Sequence, residues 1–302
     1  MMCLGALISL APWPAYADET YVPRTENELA FAQILDEYRA FNTRLERVAA
    51  PLLLKNTELC PRTTRGLGIT VHTLSDYQSN LQIFAKVLMG VSDRLSVRSV
   101  RRGSPADKAG VKIGDEIYKI NDRRFPGGRT VQRFYDIITK TAFREAKVNL
   151  SVKRNDEIMS FDISPETSCD YPVNVFFDEA ANGHTDGEQV YITSELMRTV
   201  PDDVNLALVV AHELAHAIAG HQTKSKALEL QADRMALVLM ARAGFETQRA
   251  IEFWREMAHP HADYQNSSQT HPSITERYEG FNAAQERLDD LAASGTPLTF
   301  SD

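Results

Sequence analysis

The sequence predicts an α+β chain with two folded parts: a mostly helical body with a small sheet, and an inserted domain of short strands. Three observations carry this. Apolar residues recur at helical spacing over residues 25–54 and through most of the chain after Pro201. From about Lys86 to Pro165 the texture changes to short alternating runs divided by glycines and turn residues. Residues 209–221 read V-V-A-H-E-L-A-H-A-I-A-G-H, which sets His212, Glu213 and His216 on an apolar helix.

The chain opens M-M-C-L-G-A-L-I-S-L-A-P-W-P-A-Y-A. This apolar run is too short to span a bilayer, and Ala15-Tyr16-Ala17 has the form of an A-x-A cleavage site. Residues 1–17 are therefore expected to be a secretory signal, although its first residues hold no Lys or Arg. The protein is expected in the periplasm or another exported compartment, with no lipid anchor, since Cys3 lacks the small residues that precede a lipidated cysteine. Segment 18–85 is expected to be a helical extension packed on the helical body. Its apolar stripe comprises Leu29, Ile34, Leu35, Tyr38, Phe41, Leu45 and Val48, with Pro51 marking the helix end and Pro61 the following loop.

Within 86–165, residues 95–100 and 116–120 read as strands. Between them Ser104 can cap a short helix, Pro105 suits its first turn, and Gly110 can end it. A second helix covers 130–141. Val148, Leu150 and Val152 alternate, Asn155-Asp156 turn the chain, and Met159, Phe161 and Ile163 alternate back. The run G-S-P-A-D-K-A-G-V-K-I-G-D resembles the signature of PDZ domains in bacterial exported proteases. The resemblance implies a small β-barrel-like domain with a groove that takes an extended peptide C-terminus, its carboxylate held by backbone N–H groups of a loop. Leu88-Met89-Gly90-Val91 is the first candidate for that loop, and Gly66-Leu67-Gly68-Ile69 the second.

Residues 166–302 form the third part. Helix positions i and i+4 share a face, so His212 and His216 can hold one metal ion with Glu213 beside its open position. A buried helix carrying these three groups is costly unless they are paired or ligate. Two third ligands compete. His221 misses by one position the H-E-x-x-H-x-x-G-x-x-H register of metzincins. Glu229, one turn before Asp233 on a second helix, can supply a carboxylate, and Asp233 can accept the N–H of a ligating imidazole.

H-E-L-A-H, then E-L-Q-A-D, A-R-A-G-F and T-H-P-S-I-T-E-R resemble, in that order, the gluzincin metallopeptidases that include HtpX and the CAAX prenyl endopeptidases. The resemblance covers roughly residues 173–281. It implies a zincin-type fold, one zinc ion on His212, His216 and Glu229, and Glu213 as general base. It further implies His271 as a donor to the tetrahedral oxyanion, and Arg277 as a supporting residue near it. Strands are expected at 173–177 and 190–193, the second being the sheet edge that substrate pairs with, and 179–187 a polar loop. This chain has no room for membrane helices between its ligands, so it resembles a soluble, exported branch.

The net charge of −8 argues against nucleic acid or anionic membrane as a partner and leaves protein or peptide substrates, held in part by their C-termini. Cys60 and Cys169 remain beyond the leader; an even pair in an exported chain suggests a disulfide, and two unpaired thiols are the alternative. A zinc endopeptidase is the function expected. A PDZ-based adaptor or chaperone with a silent peptidase domain is the alternative.

Overall fold

The computed structural model describes residues 25–125, 130–258 and 272–300, without the side chains of 254–258. The first helix, α1 (Glu26–Lys55), is 30 residues long and carries Pro51 inside it. The expected break at Pro51 does not occur. One missing N–H bond is outweighed by the burial that follows, since Leu45, Val48, Ala49 and Leu52 all enter the core. Each such side chain contributes about 1.5–3 kcal/mol for the larger residues.

The chain divides into two units, one of residues up to Glu37 with Gly66–Glu166, the other of Tyr38–Arg65 with Thr167 onward. The first holds β2 (Ile69–His72), α2 (Gln82–Met89), β3 (Ser96–Val100), α3 (Pro105–Ala109), β4 (Glu116–Ile120), β5 (Arg123–Arg124), α4 (Val131–Arg144), β6 (Val148–Arg154) and β7 (Glu157–Ile163). Its strands follow the order β2-β3-β4-β6-β7, with β5 on β4. The sheet is open, β2 and β7 being its edges, so the barrel-like closure expected of this domain is absent. Asn155 and Asp156 both have positive φ, the backbone twist a two-residue hairpin needs, and the β6–β7 register runs from Val148↔Ile163 to Arg154↔Glu157. Val97, Ile117, Ile120, Phe134, Leu150 and Val152 fill the core. The unit begins twenty residues before the expected boundary at 86, because β2 belongs to its sheet. A four-residue strand with a distant partner leaves little local pattern.

The second unit holds most of α1, β1 (Thr63–Gly66), β8 (Glu166–Cys169), β9 (Val173–Phe176), β10 (Gly183–Thr185), β11 (Val190–Thr193), α5 (Ser194–Thr199), α6 (Asp203–Ala219), α7 (Lys226–Ala243), α8 (Thr247–Ala258) and α9 (Ile274–Ser294). β1 pairs with β8 beside a disulfide between Cys60 and Cys169, whose Cα atoms lie 5.7 Å apart. β11 lies between β9, parallel, and β10, antiparallel. At the centre, α6 buries Leu206, Val210, Ala211, Leu214 and Ala215. No helix among the described residues is long and apolar enough to cross a membrane.

Candidate metal centre

α6 is fixed at both ends. Asp202 accepts the N–H groups of Val204 and Asn205, and Gly220 closes the helix at φ 67°. Arg44 secures the start: its guanidinium donates to Asp203 and to the carbonyls of Met197, Val200 and Asp202. The helix thereby presents His212 and His216 one turn apart, with Nε2 atoms 3.1 Å from each other.

α7 starts at Ser225, whose hydroxyl accepts from Leu228 N–H, and brings Glu229 and Asp233 to the same place. Glu229 Oε2 lies 3.5 Å from His212 Nε2, and Oε1 3.6 Å from His216 Nε2. A tetrahedral ion with bonds of about 2.0–2.1 Å holds its ligand atoms about 3.3–3.4 Å apart. The three side chains therefore fit a metal ion as they stand. Their chemistry agrees. His212 Nδ1 donates to Asp233 Oδ1 at 2.9 Å, which leaves its Nε2 a lone pair facing a carboxylate. Among the described residues these three form the one group of His, Cys, Asp or Glu able to hold a metal in this way.

The electrostatics show the same convergence. Burial would lower the His212 pKa, but hydrogen bonds to Asp233 and Glu229 outweigh it and hold the imidazole at about 9. Burial and the neighbouring His212 push His216 down to about 4. Burial would raise Glu229 and Asp233 too, yet His212 holds the first below the usual carboxylate range, and Arg277 the second. Glu213 is raised by burial, which favours a carboxyl able to take up and release a proton. It lines, with both histidines, a cavity of about 350 Å³ that also touches His184, Leu208 and Phe281.

The sheet edge beside this cavity is β10, not the expected 190–193 strand, which lies in the interior of the sheet. The segment 179–187, expected as a polar loop, supplies that edge. Its polar composition hid a three-residue strand with little core to bury. Gly183 leaves little room there: a Cβ on it would lie 3.0 Å from Val209 Cγ1 and 3.3 Å from Glu213 Cγ, so those side chains would have to give way. His184 stacks on Tyr191 at 5.0 Å. Neither Gly183 nor His184 stands in a motif that sequence reading would single out.

Arg277, the fourth residue of α9, places Nε 2.7 Å from Asp233 Oδ2 and Nη2 on Oδ1 of the same carboxylate. Its Nη2 also approaches His212 Nδ1 to 3.4 Å. Arg277 thus holds the carboxylate that holds the first histidine. His271 lies outside the described residues. The candidate loop Leu88-Met89-Gly90-Val91 is not available for a carboxylate. Leu88 and Met89 finish α2, Gly90 is its left-handed cap, and the N–H groups of Gly90 and Val91 bond back to carbonyls of that helix. Gly66-Leu67-Gly68-Ile69, by contrast, leads directly into edge strand β2.

Residues 158–228 and 222–285 match the pattern of peptidase family M48. The chain carries a family M48 peptidase domain. Residues 66–164 match the PDZ domain, the part that begins at Gly66 in the structure. The mitochondrial metalloendopeptidase OMA1 of Saccharomyces cerevisiae is 24% identical, the match covering 35% of this chain and 43% of that protein. The chain therefore spans less than half the length of this M48-containing relative. The HtrA3 PDZ domain bound to a phage-derived ligand is 24% identical over 35% of this chain and 88% of its own, with a TM-score of 0.26. The HtrA-type protease AlgW with decapeptide is 20% identical over 35% of this chain and 30% of its own, with a TM-score of 0.27.

Proposed function

We propose that the protein is a zinc-dependent endopeptidase of an exported compartment, with a PDZ domain that takes the C-termini of protein substrates. The observation that carries this reading is the convergence of His212, His216 and Glu229 at tetrahedral spacing, with Glu213 at the same cavity. The zinc ion, when bound, lowers the pKa of water to about 7 and polarises a carbonyl. Glu213 accepts the proton of the attacking water as its oxygen bonds to the scissile carbonyl carbon. Glu213 then delivers that proton to the leaving nitrogen as the C–N bond breaks. The free edge of β10 offers backbone groups to an extended substrate, in the manner of strand addition. His271 is proposed to donate to the developing oxyanion.

For the PDZ domain we propose the loop Gly66-Leu67-Gly68-Ile69 and edge strand β2 as the peptide site. The exported compartment is supported by the bridge between Cys60 and Cys169, which suits an oxidising environment.

The test is cleavage of casein and of an unstructured peptide by zinc-loaded protein, wild type against Glu213→Gln. General-base loss should lower the rate by about 10²–10⁴-fold with zinc content unchanged. A zinc-replete wild type no more active than the variant would favour the adaptor reading instead.

A further inference from the structure

His221 is outside the cluster of three ligands, yet it leans on one of them. α6 ends in a Schellman turn: Gly220 N–H donates to the Ala217 carbonyl at 3.3 Å, and His221 N–H to the His216 carbonyl at 3.1 Å. This turn lays the residue after the glycine over the residue five before it. The contact is commonly apolar, but here it joins two imidazoles, with Nδ1 atoms 2.8 Å apart and rings at 75°. Two ring nitrogens at that distance share one proton between them.

Its position is set from the far side. His221 Nε2 lies 3.2 Å from Gln231 Oε1 on α7. A carbonyl oxygen only accepts, so His221 carries its proton on Nε2 and offers a lone pair at Nδ1. The shared proton then belongs to His216 Nδ1, and His216 Nε2 is left bare toward His212 and Glu229. The opposite assignment, with the Gln231 amide turned over, would put an N–H on His216 Nε2 and aim it into the cluster, where no metal could bind.

We infer that Gln231 and His221 form a hydrogen-bond relay that fixes His216 in its metal-binding tautomer. His221 is then a positioning residue for the second ligand, as Asp233 is for the first. The inference rests on the reading that these ligands hold zinc. His221 is half-exposed and Gln231 exposed, whereas Asp233 is buried and its carboxylate is held in the charged form by Arg277, so loss of the relay should cost less than loss of Asp233.

The experiment is zinc competition against a chromophoric chelator with the full chain, comparing wild type, His221→Leu, His221→Gln and Gln231→Leu. All four should bind one ion at saturation. His221→Leu should bind it about tenfold more weakly, near the low end of losses for partners of a ligating histidine. His221→Gln, whose amide oxygen can accept from His216, should recover most of that loss, and Gln231→Leu should fall between. Wild-type affinity in His221→Leu, or a Gln variant as weak as the Leu variant, would overturn the relay while the peptidase reading stands. A wild type that binds no zinc would overturn both.

Discussion

Asp233 receives His212 on one oxygen, at 2.9 Å from Nδ1, and Arg277 Nε on the other, at 2.7 Å. The first ligand is thus held from behind by a carboxylate that is itself held by a guanidinium. A buried pair of this kind is costly to break from one side, because the remaining charge is left without a partner.

Asp233→Asn should therefore keep the fold and bind zinc about 10–100-fold more weakly, as measured by chelator competition. An unchanged affinity would mean that His212 needs no partner on Nδ1. Arg277→Leu should instead show mainly in stability, at about 3–5 kcal/mol by urea unfolding of the metal-free protein.

Gly183→Val would force a side chain into the space between β10 and Glu213. Zinc affinity should hold, because none of the three ligands touches that position, while kcat should fall at least tenfold as Glu213 is displaced. Loss of zinc with activity in proportion would argue for a wider collapse of the site.

The site was legible where side-chain periodicity and residue chemistry act together. H-E-x-x-H and E-L-Q-A-D are each written within one helical turn, so helix geometry alone brings His212 to His216 and Glu229 to Asp233. The hairpin from Val148 to Ile163 could be read for the same local reason. What escaped depends on distant pairing or on what a backbone N–H has already bonded. β2 finds its partner only through β3, so Gly66–Ile69 ranked below Leu88–Val91, whose N–H groups are spent on closing α2. β10 is a short edge strand in a polar run, and Pro51 stays helical because its neighbours are buried. The turn at Gly220-His221 did contain a readable signal: a helix-ending glycine followed by His221, which such a turn folds back over His216, five residues before it.

His72, on β2, is buried and bonded through Nδ1 to Tyr77 Oη at 2.7 Å. Burial, with Arg98 nearby, lowers its pKa from 6.5 to about 3. Between those values the unfolded chain binds more protons, so stability present above pH 6.5 is lost as the pH falls. At pH 5 the loss from this group should be about 2 kcal/mol. Urea midpoints at pH 7.5 and pH 5 should show a smaller acid penalty in His72→Gln; equal penalties would mean that His72 titrates normally in the folded domain.

The Cys60–Cys169 bridge spans a sequence separation of 109. In the chain-entropy model a loop of that size is worth about 4–5 kcal/mol. A Cys60→Ser, Cys169→Ser double variant should lower the unfolding temperature, while the oxidised wild type should resist alkylation until reduced. Full alkylation without reductant would remove the bridge from the account.

The most direct measurement is zinc content by elemental analysis after exhaustive dialysis. Wild type should retain one ion per chain and His221→Ala should still take one at saturating zinc. His212→Ala and Glu229→Ala should retain none. A Glu229→Ala protein that keeps its ion, beside a His221→Ala protein that cannot be loaded, would contradict the assignment of His212, His216 and Glu229 as the metal site.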